Sequence, residues 1–198
     1  SARPAGSKAG QNEQPRTNLL AYSLSTGELN SGFAPVLNGQ IKTLAASPDG
    51  STLYLGGQFT SVDGSNRYRI AAINTATGKL TNWRPNADAT VNTIVATGST
   101  VYLGGVFSKV QLQQRTRAAA VDAQTAAIKP WAPQVEGCTG PTIVVPPQED
   151  NVVPGGNFTS LKTGRPSATS GAGTCTPPRG MGDVDTVAGQ SMPWAARH

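Results

Sequence analysis

Along most of this chain the apolar positions come in short runs, each closed by glycine, proline, aspartate or serine. Three of the runs end alike. Leu53-Tyr54-Leu55 leads into Gly56-Gly57-Gln58-Phe59, Val101-Tyr102-Leu103 into Gly104-Gly105-Val106-Phe107, and Val152-Val153-Pro154 into Gly155-Gly156-Asn157-Phe158. The first two lie 48 residues apart (56 to 104) and the next pair 51 apart (104 to 155). A period in this range marks solenoids, propellers or arrays, where one supersecondary unit is stacked on copies of itself.

The flanking segments recur in the same order. Arg69-Ile70-Ala71-Ala72-Ile73-Asn74 is followed by Thr77-Gly78 and Trp83-Arg84-Pro85; Arg117 to Asp122 is followed by Trp131-Ala132-Pro133; Val184 to Gly189 is followed by Pro193-Trp194-Ala195. Leu19–Leu24, a turn at Ser25-Thr26-Gly27 and Glu28–Pro35 read as one more such pair of strands. Between consecutive pairs stand two further strands, Gln40–Ala46 with Thr52–Phe59 and Val91–Ala96 with Thr100–Phe107, joined at Ser47-Pro48-Asp49-Gly50 and Thr97-Gly98-Ser99. Each unit is therefore expected to hold four short antiparallel strands bounded by turn residues. That is the strand count of a propeller blade.

The expected organisation is a loose arm over residues 1–15, half a blade over 16–35, and full blades over 36–85, 86–133 and 134–198. The last carries an insertion near 163–181, rich in Ser, Gly, Thr and Pro. The runs are continuously apolar, not alternating, as in strands buried on both faces. Paired glycines mark a bulge or a close backbone approach. Phe33, Trp83, Trp131 and Trp194 form one column of equivalent aromatics, Phe59, Phe107 and Phe158 a second, and Tyr54 and Tyr102 a third. Such columns are expected to fill the space between blades; stacking on sugar rings is the alternative. Pro154, at the place of Leu55 and Leu103, suits a central strand poorly.

Composition agrees with an all-β chain: 37% hydrophobic, with 23 Gly and 15 Pro. No apolar run reaches the length of about 18 residues that spans a membrane. The formal charge is +5, but the basic residues are dispersed, without the aromatic-laced stripe of a nucleic-acid surface. Ser1 reads as a mature or trimmed end.

These residues resemble the secreted β-propeller repeats of actinobacterial type, related to quinoprotein-like and kelch-like propellers. The resemblance lies in Ser47-Pro48-Asp49-Gly50, Leu53 to Thr60, Arg67-Tyr68-Arg69-Ile70-Ala71 and Trp83-Arg84-Pro85, and weakens after Gly137. It implies blades of a secreted propeller. Three and a half blades fall short of the four to eight that close a ring. The remaining blades of a parent protein, or a second chain, are therefore the expected partners.

No catalytic, cofactor-binding or metal-ligating set is assigned. The sole His is His198, so a nucleophile–His–acid arrangement has no internal base. Asp49, Asp63, Asp122 and Asp185 fall at turn or repeat positions, which leaves Asp88, Glu136, Glu149, Asp150 and Asp183 as the other acids weighed for a carboxylate pair. Cys138 and Cys175, both in Gly/Thr/Pro-rich loops, are expected to form a disulfide in an oxidising compartment. Two functions remain. One is a non-catalytic extracellular binding or scaffold module for cell-wall or other polysaccharide; the other is part of a secreted propeller-type hydrolase or lyase.

Overall fold

The computed structural model describes residues 18–137 and, beyond them, the strand segments 142–144, 151–156, 158–162, 180–181 and 184–185. The described residues form β-strands and no helix, so no helix among them is long and apolar enough to cross a membrane. The first sheet has the order β1 (Ile41–Ala46), β2 (Thr52–Gly57), then β5 (Ile70–Asn74), with a small hairpin of β3 (Ser61–Val62) and β4 (Ser65–Asn66) between β2 and β5. The second repeats it as β6 (Val91–Ala96), β7 (Thr100–Gly105) and β10 (Ala118–Asp122), with the hairpin β8 (Lys109–Val110) and β9 (Gln113–Gln114). Registers match pair for pair: Leu44 faces Leu55 as Ile94 faces Leu103, and Gly56 faces Ile70 as Gly104 faces Ala118.

The unbroken apolar runs have a direct cause: alternate residues feed two different cores. From the first sheet, Leu55, Ala71 and Ile73 pack with Leu19, Phe33, Leu37, Phe59 and Val62. Their neighbours Tyr54, Ile70 and Ala72 turn the other way, to meet Trp83, Phe107, Val91, Ile94, Val101 and Leu103. From the second sheet, Tyr102, Ala118 and Ala120 reach a third core with Trp131, Val135 and Val152. A strand buried on both faces has no polar side to show.

The glycine pair has two separate jobs. At Gly57 and Gly105 a Cβ would collide with the carbonyl oxygens of Gln40 and Thr90, which accept bonds from Gln58 and Val106 N–H at 2.8 and 3.0 Å. This is the bulge, and the register slips there in both sheets, between Ile41 and Thr43 and between Val91 and Thr93. At Gly56 a Cβ would instead meet Thr43 Cγ2 of its own sheet at 2.7 Å and, from the next sheet, Val91 Cγ1 at 2.9 Å and Ile94 Cδ1 at 3.0 Å. Gly56 sets how closely the sheets approach.

Contact between sheets is uneven. β1 and β2 lie on β6, but β5 and β10 make no comparable contact among the described residues. The sheets touch along their first strands and diverge toward their third. Tyr54 and Trp83 fill the wedge, edge to face at 4.9 Å, and both are tied across it. Trp83 Nε1–H donates to Asp122 O at 2.9 Å and Tyr54 Oη–H to Ala123 O at 3.1 Å. Tyr102 and Trp131 repeat the ring contact at 5.3 Å.

Several expectations need correction. In the first two full units the fourth strand is a single bridge, Ile73–Leu80 or Val121–Ile128, so those two sheets are three-stranded. The two strands expected over Leu19–Leu24 and Glu28–Pro35 reduce likewise to the bridge Tyr22–Leu29. The hairpins β3–β4 and β8–β9 were not expected. Each turns through two residues with positive φ, Asp63-Gly64 (48° and 74°) and Gln111-Leu112 (49° and 66°). That is the mirror-image turn matched to strand twist, and Asp-Gly is a strong signal for it while Gln-Leu is none.

In the third unit β11 (Gln134–Gly137) pairs with β14 (Phe158–Lys162), and β12 (Thr142–Val144) with β13 (Asn151–Gly156). β15 (Gly180–Met181) and β16 (Val184–Asp185) meet β13 on either side of Pro154, at Gly155–Gly156 and at Asn151–Val152. Proline has no N–H for a ladder bond, and here it stands where two partner strands divide. Cys138, Cys175 and Trp194, the arm over 1–15 and the insertion apart from β15 lie outside the described residues.

Replacing Trp83 by alanine removes a large buried ring and its hydrogen bond to Asp122 O, and should destabilise the chain by about 3–5 kcal/mol. Trp83→Phe keeps most of the packing and should cost less than half of that. Urea denaturation checks both; a Trp83→Ala midpoint equal to wild type would contradict the wedge's structural role.

Candidate functional site

Where the wedge opens at the turn ends of the first two sheets, it forms a cleft of about 310 Å³. Its walls are Ser47, Pro48, Asp49, Ser51 and Thr52 on one side and Thr97, Gly98, Ala123 and Gln124 on the other, with Tyr54 also lining it. The Ser-Pro-Asp-Gly turn folds because Asp49 Oδ1 accepts from Ser47 Oγ–H and from Ser51 N–H at 3.1 Å, while Gly50 takes a φ of +71°. Asp122 builds the facing turn, accepting the N–H groups of Gln124 and Thr125 at 3.0 and 2.8 Å.

Both carboxyl groups sit below the ordinary carboxylate value. For Asp49 the cause is first the Ser47 hydroxyl, then the N–H and hydroxyl of Ser51. For Asp122 it is first Thr125, by backbone and hydroxyl, then Gln124, with Lys129 at 3.7 Å adding a little. Burial raises the Tyr54 phenol, with the charges of Asp49 and Asp122 adding to it. At neutral pH neither acid carries a proton to give, so neither serves as a general acid. What the cleft offers is hydroxyl, amide and carboxylate groups interspersed with Pro48, Tyr54 and Ala123. That chemistry suits hydrogen bonding to a polyol.

Of the other candidates, Glu136 lies in β11 and Asp185 in β16, while Glu149, Asp150 and Asp183 lie outside the described residues. Asp88 takes the position that Asn38 holds one unit earlier. Asn38 Oδ1 accepts Thr60 and Ser61 N–H at 2.8 and 2.9 Å; Asp88 Oδ1 accepts Ser108 and Lys109 N–H at 2.9 and 3.0 Å. The sequence hid this because one clasp is an amide and the other an acid. Asp63 likewise takes Val36 N–H at 2.8 Å. Arg67 and Arg115 are buried and donate to backbone carbonyls, Asn66 and Thr81 for the first, Gln114 and Lys129 for the second. Burial lowers both guanidinium pKa values.

Of the repeat positions, Phe59, Trp83, Phe107 and Trp131 lie in the cores, and Gly56, Gly57, Gly104 and Gly105 end β2 and β7. Gly155 and Gly156 lie in β13 and Phe158 begins β14. None of these lines the cleft. Sequence reading missed Ser51, Thr97 and Gln124 as site residues, since each looks like an ordinary turn residue. Compared with known proteins, the chain matches no family model and no curated sequence.

Asp88 gives a pH prediction. Burial alone would raise its pKa, but the Ser108 hydroxyl and the N–H groups of Lys109 and Ser108 outweigh that and lower it from 3.8. A depressed folded pKa contributes stability that is present above the unfolded value and lost as pH falls through the folded one. Asp88→Asn, which recreates the Asn38 clasp, should fold normally and lose less stability in acid than wild type below pH about 4. Asp88→Ala removes the acceptor of both N–H groups at a site that water reaches, and should cost about 0.5–1.5 kcal/mol at neutral pH. Denaturation curves across acid pH separate the two; identical acid profiles for wild type and Asp88→Asn would contradict the assignment.

Proposed function

We propose that this chain is part of a β-propeller acting as a non-catalytic, extracellular binding or scaffold module for polysaccharide of the cell wall or cell surface. The observation that carries the reading is the wedge. Sheets that touch along their first strands and diverge outward lie like blades around an axis, and further units are needed to complete the ring. The extracellular setting rests on the resemblance and on the cysteine-bearing loops.

Between two such blades lies a hydroxyl-lined cleft, and ligand sites commonly form at interfaces of this kind. The two carboxylates beside it are committed to turn hydrogen bonds and stay ionised, which favours binding over acid–base cleavage.

Affinity electrophoresis in gels cast with neutral cell-wall polysaccharides tests this. The chain should be retarded, and Ser51→Ala/Gln124→Ala should run faster than wild type. Loss of retardation by neither variant nor competitor, or release of new reducing ends, would overturn the reading, the latter in favour of a hydrolase or lyase.

A further inference from the structure

The first sheet leaves open the face that the second sheet buries. Leu44 and Ile94 hold the same register, yet Ile94 is 4% exposed and Leu44 48%. Ile41 and Leu53 are half-buried where their counterparts Val91 and Val101 are fully buried. The cover over Val91 and Ile94 is the hairpin β1–β2. Both residues sit over Gly56, and Ile94 N–H donates to Thr43 Oγ1 at 3.2 Å.

Of the described residues, those ahead of β1 supply only the outer part of such a cover. Asn18, Arg69 and Arg117 share a positive φ of 65°, 67° and 64° at one position of the unit. The bridge Tyr22–Leu29 matches Ile73–Leu80 and Val121–Ile128. Leu19 and Phe33 therefore stand where a third and fourth strand belong, and they pack on Leu55, Ala71 and Ile73. No strand among the described residues takes the first and second places of that unit.

We propose that Ile41, Leu44 and Leu53 form a docking surface for one two-stranded antiparallel hairpin of the β1–β2 sequence type: an apolar strand, a tight turn, then an apolar-Tyr-apolar-Gly-Gly strand. Its first glycine lies over Leu44 as Gly56 lies over Ile94, and its second strand runs beside Leu19 as β2 runs beside Ile70. A complete sheet from a second copy does not fit, because residues 19–35 already hold the outer part of the site. Strand addition of this kind takes its affinity from main-chain bonds and its selectivity from the alternating side chains. The inference rests on the ring reading above, but its test reads stability and not polysaccharide binding, so each can fail alone.

The test places a copy of residues 40–66 directly ahead of Arg16, reproducing the spacing of Asn66 to Arg67. Tethering makes docking intramolecular. The tethered chain should show a higher thermal and urea midpoint than the original chain. The gain should vanish when the copied segment carries Gly56→Arg, or when the receiving sheet carries Leu44→Asp; Leu44→Asp in the untethered chain should change little. A labelled synthetic peptide of residues 40–59, added to the untethered chain, gives a second readout, with binding lost in Leu44→Asp. No gain and no peptide binding would overturn the proposal. So would a dimer of the untethered chain, seen by sedimentation and broken by Leu44→Asp, with no response to the tethered copy; that outcome would give the surface to a second copy.

Discussion

The wedge between neighbouring sheets is the constraint on which the rest depends. Two three-stranded sheets packed evenly would need only aliphatic side chains of similar size between them. Here Gly56 lets β2 close on β6, beside the contact of β1 with β6, so the gap must widen outward and something large must fill it. Tyr54 and Trp83 do so, and their polar ends reach carbonyls of the turn after β10. A buried indole or phenol needs such a partner. The hydrogen bonds thus fix one unit against the next in angle as well as distance.

From this follow the cleft and the fate of the acids. A wedge filled in its middle stays open at its turn ends, where Ser47, Asp49 and Ser51 face Thr97 and Gln124. The turns that border it are held by carboxylates accepting several N–H and O–H groups, which keeps those acids ionised and rigid. Rigid, hydroxyl-bearing turns on a repeated scaffold are suited to recognition.

Much of the fold could be read in the sequence because its strongest signals are repeated. The Gly-Gly pairs, the Trp-x-Pro ends and the continuous apolar runs all have causes seen in the structure: a bulge, a wedge filler and strands buried on both sides. What escaped reading was of two kinds. Fourth strands shrink to single bridges because, after Thr81 and Lys129 donate to Ala72 O and Ala120 O, their own carbonyls accept from the buried Arg67 and Arg115 side chains in place of a further ladder bond. The β8–β9 hairpin turns at Gln111-Leu112, a pair with no turn preference, held there by the hairpin it closes. The cleft was legible only as turns, since its residues become a site by facing a turn some 50 residues away along the chain (49 to 97).

The divergence of the sheets is most directly measured by electron–electron distances between paired spin labels. One pair goes on the first strands, at Lys42 and Asn92; the other goes at equivalent outer positions, Lys79 and Ala127, all four exposed. A fan of sheets predicts a clearly shorter distance for the inner pair than for the outer, and widening of the outer distribution when Trp83 is replaced by alanine. Equal inner and outer distances would mean evenly stacked sheets, and would contradict both the wedge and the ring proposed from it.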